Sequence, residues 1–292
     1  MRRRLAGVLT VILAAVFWSC AGAAAAKPPV WVVRDKDSTI LLFGSVHVLP
    51  AGLDWTPDRL AEALPKADDL WFEIPITPET QAEATALTQK LGPFPPTDSL
   101  SNHLTPAQGQ KLRRVAGKLS LSTLALDRMR PWLAEVTLSI AMDARVGANA
   151  SDGVEQRIQT LAPPTARRRA FETVAQQIGF LAGTPMDTQI ASLDETLSEI
   201  EDRPETYDKV IADWLSGDTA ALKVDALDPL KAAAPVLYRR LIIERNSRWT
   251  KVIRQRLRGH GLTVVVVGVG HLVGPDSVPA MLRAQGLTVD GP

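Results

Sequence analysis

The sequence predicts an α/β protein in which a central mixed β-sheet is built from the two ends of the chain and a large helical insertion lies between them. Three observations carry this. VWVVRD (30–35) and STILLFG (38–44) are apolar runs separated by turn-forming residues. GLTVVVVGVG (261–270) is an unbroken β-branched run, as in a strand buried on both faces. Residues 104–258, between them, show helical periodicity punctuated by Pro and Gly.

The chain begins with MRRR and the apolar run LAGVLTVILAAVFW, followed by AGAAAA. That order reads as a secretory signal peptide over residues 1–26, with a small-residue cleavage site ending at Ala26. A retained anchor and lipoprotein processing at Cys20 are the competing readings. Phe17-Trp18-Ser19 makes a poor lipobox. A periplasmic or secreted protein of residues 27–292 is therefore expected, with no membrane span once the leader is gone. Losing Arg2, Arg3 and Arg4 turns the formal charge of +1 slightly negative. Nothing in such a balance suggests nucleic acid or a membrane surface as partner. Cys20 is the one cysteine; its removal excludes disulfides, a cysteine nucleophile and thiolate metal sites.

The two N-terminal runs are expected to pair antiparallel. TPDRLAEALPKA predicts a short helix with Thr56 as N-cap and Pro57 at the first helical position. DDLWFEIP (68–75) predicts a strand ending in a charged residue, Glu73, and TPETQAEATALTQKLG a helix ending at Gly92. In the helical middle, ARRRAFE has room for a short strand, although Arg167, Arg168 and Arg169 also suit a solvated turn. Trp132, Trp214 and Trp249 are expected to pack the helical layer. DSVPAMLRAQ and LTVD close the chain as a helix and a short strand.

The chemistry is carried by a repeated spacing. TILLFGSVHVLP and TVVVVGVGHLVGP share an apolar strand, Gly-x-x-His and a Pro-containing loop, in a chain with only four histidines. Gly44 and Gly268 are expected to turn the backbone out of the sheet. His47 and His271 are then placed beyond the carboxyl ends of the strands, where open α/β sheets bind ligands. If the strands are parallel neighbours the imidazoles converge, and Glu73 belongs beside them. Two neutral imidazoles and a carboxylate suit a divalent metal with open positions, which lowers the pKa of bound water. Glu73 is alternatively a general base. His103 and His260 are expected in solvated loops.

These elements resemble the TraB/GumN family, to which the animal Tiki proteins are related, over residues 31–289. GSVHVLP, the Glu of LWFEI, DGVEQRI, FETVAQQIGFL, RRLIIERNSRW and VVVVGVGHLVGPDSV are the segments that carry the resemblance. It implies a fold related to the erythromycin-esterase and ChaN-like proteins and a metal-dependent hydrolase, peptidase-like in the Tiki branch, with a peptide or small-molecule substrate. The implied ion is Mn, Co or Zn, held by His47, His271 and Glu73. By the same resemblance Arg245 joins the catalytic centre, and Asn246 and Glu172 contact substrate or support the site. Arg128, which precedes Pro131-Trp132, is a further candidate for a substrate carboxylate or phosphate. Two other functions remain. A ChaN-like haem- or iron-binding protein would use the same fold without catalysis, although Tyr207 and Tyr238 are its only tyrosines. A metal-independent esterase-like hydrolase would use His47 as general base.

Overall fold

The structure, a computed structural model, describes residues 27–292. The predicted leader and Cys20 lie outside the described residues. Among those described, no helix is long and apolar enough to cross a membrane.

Eight strands follow in chain order: β1 Val30–Arg34, β2 Ser38–Ser45, β3 Leu49–Pro50, β4 Asp69–Phe72, β5 Ala148–Asn149, β6 Arg167–Ala170, β7 Gly261–Gly268 and β8 Val289–Asp290. Six form one mixed sheet in the order β6-β4-β7-β2-β1-β8, and β3 pairs with β5 in a small second sheet. β1 pairs antiparallel with β2 across the tight turn, as its sequence predicts. β2, β7, β4 and β6 run parallel, with β7 between β2 and β4. Strands from the two ends of the chain thus meet at the centre of the sheet. Val264, Val265, Val266 and Val267 are all buried there, as an all-apolar run flanked by helices on both faces requires.

The helical middle is not one insertion. Helices Pro106–Lys118, Pro131–Arg145 and Met186–Asp202 build a separate apolar cluster around Leu112, Val115, Leu138, Leu193 and Leu197. Helices Val154–Leu161, Thr206–Ser216 and Glu244–Leu257 instead cover the sheet, contributing Ile158, Trp214 and Trp249 to its core. Trp132 is buried as well.

ARRRAFE forms the edge strand β6, which corrects the reading of Arg167–Arg169 as a solvated turn. Arg167 and Arg169 reach across to the buried Asp69 on β4 (2.8 and 3.1 Å), and Arg256 approaches the same carboxylate at 2.9 Å. The Arg167 hydrogen bonds, joined by the other two arginines, hold Asp69 down at about 2 despite its burial. An edge strand rich in arginine looks polar in sequence; two of its three arginines meet one carboxylate on the neighbouring strand, and Arg168 donates instead to the Pro163 and Ala166 carbonyls. The first short helix starts one residue later than predicted, at Asp58, with Pro57 as its N-cap. The helix Pro78–Leu91 has the predicted start, with Thr77 and Thr80 capping each other reciprocally.

Candidate functional site

Four parallel strands end side by side, and each delivers a candidate residue to the same edge. His47 lies two residues beyond β2, Glu73 one beyond β4, Glu172 two beyond β6, and His271 in the 3₁₀ turn Val269–His271 after β7. The ladder continues past β4 and β6, where the Glu172 N–H donates to the Glu73 carbonyl (2.9 Å), fixing the two acidic residues as neighbours.

The repeated Gly-x-x-His does not act as two equivalent turns. Gly44 stands opposite Val267, and Gly268 opposite Ser45, so the two motifs are offset by one residue. β7 ends at Gly268 and passes straight into the 3₁₀ turn, as expected, whereas β2 runs one residue past Gly44. Neither glycine adopts a positive φ, and at both positions the missing side chain serves close approach. A Cβ on Gly44 would stand 2.9–3.0 Å from Val269, inside contact distance. A Cβ on Gly268 would stand 3.2 Å from Glu73 Oε1 and 3.8 Å from both His47 Nε2 and His271 Cδ2. Gly268 is therefore the point on which both imidazoles and the carboxylate converge.

Beneath that point Arg245 is the hub. It enters from helix Glu244–Leu257, directly after a π-helical turn, Arg239–Ile243. Its Nη2 donates to Glu73 Oε2 (2.6 Å) and its Nε to Glu172 Oε1 and Oε2 (3.1 and 3.0 Å). Trp249 Nε1 also donates to Glu172 Oε1, at 3.0 Å. Gln177 Nε2 and the Gly268 N–H donate to the two Glu73 oxygens at 3.0 and 2.7 Å. Burial works against the ionisation of Glu73. His271 and Arg245, with the Gly268 amide, nonetheless hold it at about 2.

His271 is fixed from both sides. Asn246 Nδ2 donates to the Asp276 carbonyl (2.8 Å), so its Oδ1 faces His271 Nδ1 at 2.6 Å and must accept the proton there. The free pair on Nε2 accepts from Arg245 Nη1 at 3.1 Å. Burial, with the positive charge of Arg245, lowers this imidazole to about 3 against the pull of Glu73. It is neutral at pH 7, where the guanidinium is the counter-charge of Glu73, at 2.6 Å from that carboxylate against 3.7 Å for His271; the ring adds its own charge only in the acid range where Glu73 itself titrates.

His47 is placed differently. Its side chain is 69% exposed, and its Nδ1–H donates to Glu155 Oε1 at 2.6 Å. Glu155 opens helix Val154–Leu161, where a carboxylate meets the helix dipole favourably, and accepts from the Ser45 hydroxyl as well (2.6 Å). Its charge and its hydrogen bond raise the His47 imidazole from 6.5 to about 9. Neither Glu155, in DGVEQRI, nor Gln177, in FETVAQQIGFL, is singled out by spacing; the Gly-Val-Glu start of a helix is the one local signal for Glu155.

Both residues line a cavity of about 360 Å³ together with His47, Glu73, Phe72 and the segment Ile74–Thr77. Arg128 is not brought there: it is exposed, at the end of helix Thr123–Asp127. Asn246 lies fully buried behind His271, so its contact is with that ring. Arg245 and Glu172 are likewise sealed beneath the cavity, at 5% and 3% side-chain exposure.

The donor set can be tested against a metal. The His271 tautomer is the one a metal ligand needs, with Nδ1–H on a carbonyl oxygen and Nε2 free for coordination. Yet the single lone pair of that Nε2 is engaged by Arg245, and the same guanidinium is bonded to Glu73. As arranged, the three side chains do not fit an ion held by all of them. Such an ion requires Arg245 to withdraw.

The chain matches the sequence profile of the TraB/PrgY/gumN family over residues 29–291. It is 24% identical over 245 residues to the uncharacterized protein YbaP of Escherichia coli (strain K12), covering 83% of this chain and 87% of that one. It is 22% identical over 270 residues to an uncharacterized protein of Treponema pallidum (strain Nichols), covering 88% of this chain and 80% of that one. No solved structure matches at a significant level. Over nearly its whole length, then, the chain belongs to the TraB/PrgY/gumN family.

Proposed function

We propose that the protein is an exported hydrolase in which His47 transfers the proton and Glu155 orients it. The observation that carries this reading is the 2.6 Å contact of Glu155 with His47 Nδ1, which leaves Nε2 as the ring atom facing the cavity beside Glu73 and Gly268. In its neutral form Nε2 accepts a proton from a water molecule, and the resulting imidazolium is stabilised by the ionised Glu155. The water so deprotonated attacks a carbonyl carbon held in the cavity, and the imidazolium then gives its proton to the departing alcohol or amine as the C–O or C–N bond breaks. Gln177 spends one amide proton on Glu73 Oε2 and keeps a second for the carbonyl oxygen, where negative charge develops. Arg245 acts through Glu73, Glu172 and His271, holding all three rigid, and is a positioning residue. Residues 1–26 support a periplasmic or secreted place of work.

A metal-dependent form of the same hydrolase is the second reading. It is favoured by the His271 tautomer and by the convergence of His47, Glu73 and His271 on Gly268. The ion would supply Lewis acidity and a more acidic water, and His47, Glu73 and His271 would hold it only in a form of the site in which Arg245 has withdrawn from His271 Nε2 and Glu73. A haem-binding reading has less support, since Tyr207 donates to the Val48 carbonyl and Tyr238 to Asp276, outside the cavity wall.

The test is a panel of chromogenic esters and peptide amides assayed with the wild type, His47→Ala and Glu155→Gln, before and after exhaustive chelation. General-base loss predicts a fall of about 10²- to 10⁴-fold in His47→Ala. Activity that survives chelation supports the metal-independent form, and activity lost to chelation and restored by one divalent ion supports the second reading. Unchanged activity in His47→Ala defeats both.

A further inference from the structure

The cavity that faces His47 is lined by two unlike groups of residues. One comprises the carboxylates Glu73 and Glu155, with Gln177 and Gln156. The other follows the chain leaving β4, with Phe72, Ile74, Pro75 and Ile76 and then Thr77, and helix Pro78–Leu91 adds Ala84 beside the polar Thr80 and Gln81. Ile74 and Ile76 are only partly buried: Ile76 also packs against the core, whereas Ile74 is not part of that cluster and presents its apolar side chain to the cavity. Among the described residues no lysine or arginine lines this space. The nearest guanidinium, Arg245, is sealed below at 5% side-chain exposure and shared between Glu73 and Glu172. The positive charge of His47 is already matched by Glu155 at 2.6 Å.

A carboxylate, phosphate or sulfate entering here would lose water beside two carboxylates, with no unpaired cation to receive it. An alkyl chain would gain by covering Phe72 and the two isoleucines. We propose that the group bound in this cavity is an uncharged, apolar acyl chain, its carbonyl end toward His47 and Gln177 and its tail along Ile74, Ile76 and Ala84. The inference rests on the hydrolase reading for the bond that is cut; the class of ligand follows from the wall itself.

Binding separates the two. His47→Ala protein, in which turnover is removed, is titrated calorimetrically with a series of primary amides from acetamide to octanamide. A matched compound, the monoamide of adipic acid, carries a carboxylate at the far end of a six-carbon chain. The expected result is a gain of about three- to fourfold in affinity per methylene until the wall is filled. The adipic monoamide is expected to bind at least tenfold more weakly than hexanamide. Ala84→Leu, which exchanges one strong helix former for another at little cost, should cut the series off at a shorter chain while leaving acetamide unchanged. Equal binding of the charged and neutral six-carbon amides, no binding of any amide up to octanamide, or an unaltered series in Ala84→Leu overturns the proposal. If hexanamide binds as expected but the wild type fails to cleave the corresponding ester, the ligand class stands and the hydrolase reading falls.

Discussion

Replacing Arg245 by methionine should destabilise the protein by an amount set by the carboxylates it leaves behind. Arg245 is 5% exposed; Glu73 and Glu172, which share it, are 10% and 3% exposed. Methionine keeps most of the volume, so packing is not the main loss. The main loss is an uncompensated pair of buried charges, for which breaking a buried ion pair costs about 3–5 kcal/mol. At about 2–4 °C per kcal/mol for a domain of this size, Tm should fall by roughly 6–20 °C at pH 7.5. The fall must also depend on pH. In the wild type Glu73 is held near 2, so it contributes stability that is present above its unfolded value and lost only as pH drops toward 2. Without Arg245 its pKa rises, and the variant gains stability as acid protonates it. The gap between wild type and Arg245→Met should therefore narrow from pH 7.5 to pH 4.5. Thermal melts by circular dichroism across that range give the answer. A drop below about 2 °C, or a gap of equal size at both ends, would refute the claim that Arg245 is the electrostatic keystone.

In Glu155→Gln, the NMR titration of the His47 ring should move from about 9 toward 6.5, and the rise of activity with pH should move with it; a titration unchanged by the substitution denies the orienting role. Gly268→Ala puts a Cβ 3.2 Å from Glu73 Oε1, so turnover should fall at least tenfold while Tm changes little, as read by parallel assays and melts. Gly44→Ala meets the Val269 backbone and side chain at 2.9–3.0 Å and should cost about 1–3 kcal/mol in urea unfolding. Glu135, on helix Pro131–Arg145, is pushed up by burial to about 7, so the folded state loses stability as pH rises from its unfolded value through 7. Glu135→Gln should accordingly raise Tm by a few degrees at pH 8 and by almost nothing at pH 5.

The central strands were legible because β-branched runs have few other destinations. Glu73 was legible because a charge directly after Leu70-Trp71-Phe72 needs a special partner. The spacing of the two histidine motifs correctly put both rings at one edge, but it hid the offset between them. That offset leaves His47 open to solvent and His271 buried beneath a tryptophan ring 4.4 Å away. What could not be read was pairing at a distance. Arg167–Arg169 look like a solvated run until Asp69 is seen beside them, and Arg245 looks like an ordinary helix residue until three strand ends close over it. Arg128 was attractive only for its charge next to a helix start. Charge on a helix surface is common, and nothing in its local spacing distinguishes one that reaches a cavity.

Helix Glu244–Leu257 is riveted to β4 twice, by Arg256 to Asp69 at one end and by Arg245 to Glu73 at the other. Eleven helical residues rise about 16 Å, and the four strand steps from Asp69 to Glu73 advance about 13 Å, so two different backbones are cut to nearly one gauge. Neither can lengthen alone. A single residue inserted anywhere between the rivets, however far from the cavity, would have to unfasten one of them, which makes the far edge of the sheet as intolerant of insertion as the histidines themselves.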